Sequence, residues 1–270
     1  MEIVFDNVSF LDKNKDTLLK DINFTINGGS IIGVYGENIN LFIDMFMITK
    51  RPTNGILYMN KRKIKRTNHI ENIDGIQNKV GYVFEPEGYK FKKKTIYDEI
   101  NSYIEKYNVN TNNVKKHIAS SLKIANLDVD VNRNPNELSY SEKKKLIFAC
   151  VMSYNPELIL FDNFDRGLYF RDADYFRKLF VKLRNQYDKT IMLFNSDSRF
   201  LFDVVNRVMV FDKTLVFDKE ENPFYDNSLY KYIDVPKIVE FTRYAHKEGH
   251  NILEYTDTKE LIKELYRNIK

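Results

Sequence analysis

Five short clusters carry residue types that could do chemistry, four of them at the ends of apolar runs, where an open α/β sheet presents its chemistry. The first is Gly36-Glu37-Asn38-Ile39-Asn40-Leu41-Phe42-Ile43, directly after the apolar residues 30–35. A glycine that ends a buried strand and leads into a helix is where a phosphate-binding loop forms. That loop reads G-x-x-x-x-G-K-[ST]: its glycines let backbone N–H groups curl around phosphates, its lysine neutralises them and its hydroxyl binds magnesium. Here only the first glycine is present. Leu41 stands at the second glycine, Phe42 at the lysine and Ile43 at the hydroxyl. The other clusters are Glu85 after residues 80–84, Ser139-x-x-Glu142, Asp162-Asn163 after residues 157–161, and Asn195-Ser196-Asp197 after residues 190–194.

The first cluster is unfavourable for a polyphosphate. Ile39 and Leu41 resist the positive φ that such a loop uses. Glu37 and Asp44 add negative charge where phosphates would sit. Each lost charged hydrogen bond is worth about 1.5–3 kcal/mol, or roughly tenfold to 150-fold in affinity. Asp162 can hold magnesium through water, or serve as a strand-end turn residue. Asn163 cannot take a proton from water as a carboxylate would. Ser139-x-x-Glu142 can meet a phosphate, and it equally spells a capping box at a helix start. His246 and His250 stand four apart, but no carboxylate or cysteine co-ligand lies near them, so they read as helix-end histidines beside Gly249.

These positions need strands and helices behind them. Residues 3–10 and 17–26 alternate as strands around a polar turn. Residues 30–36, 79–84, 157–161 and 190–194 are short apolar runs of the kind found in buried parallel strands. Residues 39–49 suit a helix packed on the sheet; 95–127 and 138–153 read as helical, as does the amphipathic stretch 172–186. Residues 208–211 and 215–217 form a hairpin about Asp212-Lys213-Thr214. Parallel strands joined by helices, with antiparallel strands at both ends, give an α/β fold with a mixed β edge. Residues 219–222 make a charged linker. Two short helices follow, one opening near Asp234-Val235-Pro236 and stopping near Gly249. The other opens at Thr256 or Asp257, with Glu260 placed for a capping box and Leu261, Ile262, Leu265, Tyr266 and Ile269 on one face.

At 270 residues the chain can hold one large α/β domain and a small appendage. The net charge of +4 is spread among 42 basic and 38 acidic side chains, which argues against nucleic acid and is compatible with an anionic membrane face. The single cysteine, Cys150, fits a reducing cytosol. The acidic N-terminus does not read as a signal peptide, and no apolar run approaches the roughly 18 residues of a membrane helix. Lys, Asn, Ile, Phe and Tyr dominate, as AT-rich codons would give. The lysine runs 92–94 and 143–145 therefore read as solvated faces.

Taken in order, the clusters resemble those of ABC ATPases. Val80-Gly81-Tyr82-Val83-Phe84-Glu85 is similar to the strand that ends in glutamine, with Glu85 in its place. Pro135-Asn136-Glu137-Leu138-Ser139-Tyr140-Ser141-Glu142 is similar to the signature P-x-E-L-S-G-G-Q. Asn155-Pro156 through Asp162-Asn163-Phe164-Asp165-Arg166-Gly167-Leu168 resembles the Walker B strand and D-loop. Thr190-Ile191-Met192-Leu193-Phe194-Asn195-Ser196-Asp197 resembles the strand that ends in histidine. The tail after residue 219 is similar to that of energy-coupling factor (ECF) ATPases.

The resemblance implies an ABC-type P-loop NTPase fold over residues 1–218, a helical subdomain at about 86–150 and a small C-terminal domain over 219–270. It implies ATP and magnesium as cofactors, with Gly36, Asn38, Asn40, Phe42, Ile43, Glu85 and Ser139 at nucleotide-contacting positions and Asp162 at the metal position. Asn163 and Ser196 occupy the catalytic positions, so no catalytic residue is expected and binding of the cofactors is in doubt. The expected function is a non-catalytic subunit of an ECF-type vitamin or metal-ion importer. It would pair with an intact ABC ATPase, bind a membrane coupling subunit, and lie on the cytoplasmic face of the membrane through that partner. Two alternatives stay open: a divergent but active ATPase using Glu85 or Asp165, and a soluble scaffold or regulator.

Overall fold

The computed structural model describes residues 1–65, 75–255 and 258–268. Its centre is a six-stranded sheet in the order β10-β9-β3-β8-β7-β6. These strands are β3 (Ile31–Gly36), β6 (Val80–Val83), β7 (Leu158–Asp162), β8 (Thr190–Phe194), β9 (Arg207–Asp212) and β10 (Thr214–Glu220). Five run parallel, and β10 closes one edge as the antiparallel arm of a hairpin. A four-stranded antiparallel sheet, β2-β1-β4-β5, packs beside it. It is built from β1 (Ile3–Leu11), β2 (Thr17–Ile26), β4 (Asn54–Met59) and β5 (Arg62–Ile64).

The apolar runs are continuous because both faces of the parallel sheet are covered. Period-two alternation divides each strand between two cores. Ile32, Val34, Leu158, Leu160, Met192 and Phe194 face the antiparallel sheet and α1 (Ile39–Phe46). Ile31, Ile159, Phe161, Ile191 and Leu193 face α4 (Tyr140–Met152) and α5 (Phe170–Tyr187). A helical layer of α2 (Ile96–Lys106), α3 (Val114–Ile124) and α4 comes between β6 and β7 in the chain. A short α6 (Ser198–Phe202) follows β8. Arg207 ties the hairpin down, with its guanidinium on Asp218 at 2.6 and 2.5 Å and on the Thr25 carbonyl at 2.7 Å.

The tail carries α7 (Lys237–Lys247) and α8 (Thr258–Asn268). Phe224, Leu229 and Val239 join the larger core, whereas Ala245, Ile252 and Leu261 form a small cluster of their own. Phe202 meets Phe224 with ring centroids 5.5 Å apart.

Several expectations change. The helical reading of 95–127 breaks at 107–113, where Asn108 turns left-handed at φ 49 and Asn113 caps α3. Strand β10 runs to Glu220 and absorbs half of the expected 219–222 linker. The lysine run 143–145 is not a solvated face, because Lys144 is fully buried and Lys145 is 9% exposed. Lys92, Lys93 and Lys94 are exposed as expected. The expected start of the last helix at Thr256 or Asp257, and Ile269 on its face, lie outside the described residues.

Among the described residues, sixteen non-glycine positions take positive φ, and nine of them are asparagine. Asparagine tolerates the left-handed region because its short side chain bonds the local backbone.

Candidate functional site

The clusters singled out in the sequence converge at the C-terminal edge of the parallel sheet, where open α/β sheets hold their ligands. Gly36 ends β3 at φ 122, in close approach to β9. A Cβ there would lie 1.8 Å from the Phe211 carbonyl oxygen. The turn that follows is tight. Asn38 takes the left-handed conformation and caps α1 without a side-chain cap bond, and its amide donates instead to the Leu18 carbonyl at 3.3 Å.

Helix α1 begins at Ile39, so Ile39 and Leu41 are helical and take no positive φ. The strain expected of them is absent because the loop is shorter than a phosphate cradle. Phe42 is 1% exposed and stacks in the core, its ring centroid 4.2 Å from Phe211 and 5.9 Å from Phe5. Ile43 is buried beside it, and Asn40 is exposed on the first turn. Residues 36–43 therefore offer no cation to a triphosphate and do not fit one as a P-loop does. The nearest basic residue in sequence, Lys50, folds back past the end of α1 onto Asp44 at 2.7 Å.

Asp162 ends β7 half-buried. Its Oδ1 accepts from the amides of Asn163 at 3.3 Å and Asn195 at 3.4 Å, and the Tyr82 hydroxyl donates to it as well. Burial pushes the Asp162 carboxyl above the usual range, and the negative charge of Glu85 adds to the shift. The Tyr82 phenol is raised too, chiefly by burial and then by Asp162 and Asp44. A divalent cation would relieve this crowding, so the residue type at 162 suits a metal. Its surroundings supply amides and a phenol.

Glu85 follows β6 and is the hub of the site. The Tyr140 hydroxyl donates to its Oε1, the Asn163 amide to its Oε2 at 3.2 Å, and Arg166 reaches Oε1 at 3.3 Å. The Tyr140 phenol is raised by burial and by its bond to Glu85. Ser139 forms a full capping box: its N–H donates to Glu142 Oε2 at 2.8 Å, and the Glu142 N–H donates to Ser139 Oγ at 3.3 Å. Ser196, 2% exposed, offers its carbonyl to the Tyr35 hydroxyl at 2.8 Å, while its own Oγ finds no partner. Asp165 accepts the Asp197 N–H at 3.1 Å through Oδ2 and leaves Oδ1 buried without a partner.

Asn163 thus joins Glu85 and Asp162, its amide donating to both carboxylates. Tyr140 brings the Ser139 turn to them, and Phe42 and Ile43 are turned into the core. Sequence reasoning gave no site role to Tyr82, Asn195, Arg166 or Lys144. Lys144 donates to the carbonyls of Asn163, Phe164 at 3.2 Å and Arg166 at 2.7 Å, and burial lowers its ammonium to about 8. Position 144 gives no local signal of this, since its partners lie about twenty residues away. His246 spends a ring nitrogen on the Ile252 carbonyl.

A mostly parallel sheet, covered by helices on one face and by α1 with the antiparallel sheet on the other, with its polar cluster at the strand ends, defines the α/β class. The chain belongs to the ABC transporter family, whose model matches residues 19–165, more than half of its length. A Clostridium acetobutylicum protein named for ABC transporter ATP binding is 28% identical over 239 residues, covering 83% of this chain and 95% of its own length. The energy-coupling factor transporter ATP-binding protein EcfA of aster yellows witches'-broom phytoplasma is 28% identical over 172 residues, 63% of this chain and 62% of its own.

Among solved structures, CbiO1 of Clostridium perfringens, described as part of the ABC transporter complex CbiONQ, superposes with a TM-score of 0.70. It shares 17% identity and covers 89% of this chain and 98% of its own. The ATP-binding cassette MJ0796, a dimer with ADP and Pi, gives a TM-score of 0.71 at 20% identity over 81% and 98%. These likenesses bear out the ABC ATPase fold. Among the described residues, no helix is long and apolar enough to cross a membrane.

Proposed function

We propose that this chain is a non-catalytic ATP-binding-type subunit of an ECF-type importer for a vitamin or metal ion. It pairs with an intact ABC ATPase, docks on a membrane coupling subunit through the groove beside Glu85 and the 86–150 helical layer, and lies on the inner membrane face through that partner. The relation to EcfA supports the ECF assignment, as does a C-terminal pair of helices after the sheet domain. The observation that carries the loss of catalysis is Phe42. The side chain standing where a lysine would meet phosphate is packed between Phe5 and Phe211. Asn163, in the place of a catalytic carboxylate, spends its amide on Glu85 and Asp162.

The test is calorimetric titration of the purified chain with ATP and magnesium, beside an intact P-loop protein. No heat up to millimolar ATP is expected. Binding at micromolar ATP overturns the reading of residues 36–43. A second reading, a divergent but active ATPase, draws on Asp165, whose Oδ1 is buried and unpartnered near the Tyr35 hydroxyl. ATP hydrolysis that is abolished in Asp165→Asn and kept in Glu85→Gln would favour it.

A further inference from the structure

We infer that Tyr140, Glu85 and Arg166 form an internal latch, which holds the helical layer of residues 86–150 on the parallel sheet in one orientation without any nucleotide. The three residues come from three separate pieces of the fold. Glu85 lies where β6 leaves the sheet for the helical layer. Tyr140 is the first residue of α4 within that layer. Arg166 lies on the loop after β7. One carboxylate joins them, accepting from the Tyr140 phenol, from Arg166 at 3.3 Å and from Asn163 at 3.2 Å. Hydrogen bonds to an ionised carboxylate are the strong ones.

Packing reinforces the bonds. The Tyr140 ring packs against Gly167, where a Cβ would meet two ring carbons at 2.7 Å; the loop can approach the ring so closely because residue 167 is glycine. Beneath the ring, Lys144 stands 5.0 Å from its centroid and donates to three carbonyls of the same loop. At the next residue of α4, the buried pair Lys145–Asp172, 2.6 Å apart, fastens the helix to α5. Asn126, just after α3, adds a bond to Asp172 at 3.2 Å. The junction is therefore bound at its rim by the latch and inside by two lysines.

The bonding stands by itself; its meaning rests on the non-catalytic reading above. In that setting the chain moves as one body and passes on a motion generated in its partner, since its own layer is already fixed to its sheet.

Hydrogen exchange of the purified full chain without nucleotide tests the latch. Tyr140→Phe keeps the ring on Gly167 and removes the bond to Glu85. Amides of residues 84–87 and of the first turn of α4 should exchange roughly tenfold faster or more, while the β7 and β8 amides stay protected. Arg166→Ala, at a side chain 65% exposed, should give the same pattern more weakly and guards against a misfolded Tyr140 variant. The double variant Tyr140→Phe with Glu85→Gln should exchange faster than Tyr140→Phe alone, because the Arg166 and Asn163 bonds are weakened too, but slower than two independent losses predict, because the two changes share the Tyr140–Glu85 bond.

Exchange unchanged in both Tyr140→Phe and Arg166→Ala overturns the latch. So does equal acceleration throughout the sheet, which would mean global destabilisation. Addition of ATP and magnesium to the natural chain separates the two claims. A nucleotide-induced change at residues 36–43 would overturn the reading of that loop, and ATP hydrolysis the non-catalytic reading, and either would leave the latch result standing.

Discussion

The Asn195 amide donates to the Asp162 carboxylate at 3.4 Å, and both residues stand at the ends of neighbouring parallel strands. With Asn163 and Tyr82, it surrounds the carboxylate with neutral donors. Burial raises the Asp162 carboxyl above its unfolded value, so the ionised form is disfavoured in the folded state. That cost is present above the folded pKa and fades as pH falls through it. Asp162→Asn should therefore stabilise the chain at neutral pH, by on the order of 1 kcal/mol, with the gain shrinking toward pH 4. Denaturant unfolding at several pH values measures it; a loss of stability at pH 7 would sink the argument.

Phe42→Lys restores the residue type of a phosphate loop at a position that faces the core. It places an ammonium among Phe5, Phe46 and Phe211. The expected result is a loss of about 3–5 kcal/mol in stability, with no gain of ATP affinity. Thermal unfolding with and without ATP checks both parts. A folded variant that binds ATP would show that the loop can open.

The capping box at Ser139 carries a pH dependence. Bonds to the Ser139 backbone and side chain hold the Glu142 carboxyl below its ordinary range. Its stabilising contribution is present above the unfolded value near pH 4.3 and is lost as pH falls through the lower folded value. Ser139→Ala should cost about 1 kcal/mol at pH 7, and that cost should diminish below roughly pH 4. Urea midpoints of the two proteins across pH 3–7 give the comparison.

Lys144→Met keeps the length of the stem and removes the ammonium. Three loop carbonyls then lose their donor. The expected loss is about 2–4 kcal/mol, well above that of Lys143→Met on the same helix. Equal losses for the two variants would contradict the placement of Lys144.

Much of the fold was legible in the sequence, because buried parallel strands announce themselves as apolar runs. Residues 190–194 match β8 end to end, and residues 3–10 and 17–26 anticipate β1 and β2 closely. The break between α2 and α3 was written in the asparagines at 108, 110, 112 and 113, but the apolar spacing on either side masked it. The site was legible only in part. Glu85 and Asp162 were visible as polar residues at run ends, and Ser139 through the Ser139-x-x-Glu142 pattern. That Tyr140 would bond Glu85, or that Lys144 would be buried, depends on a loop distant in sequence. No local pattern encodes such a contact.

The asparagine corners bear on the unfolded chain as well as the folded one. Glycine in those nine positions would enlarge the conformational freedom that folding must remove, by about 0.4–1 kcal/mol at each compatible site. With only 10 glycines in 270 residues, the chain starts from a narrower unfolded ensemble. Its turns are biased toward their native handedness before any strand has paired, and a composition set at the level of codons thereby becomes a contribution to stability.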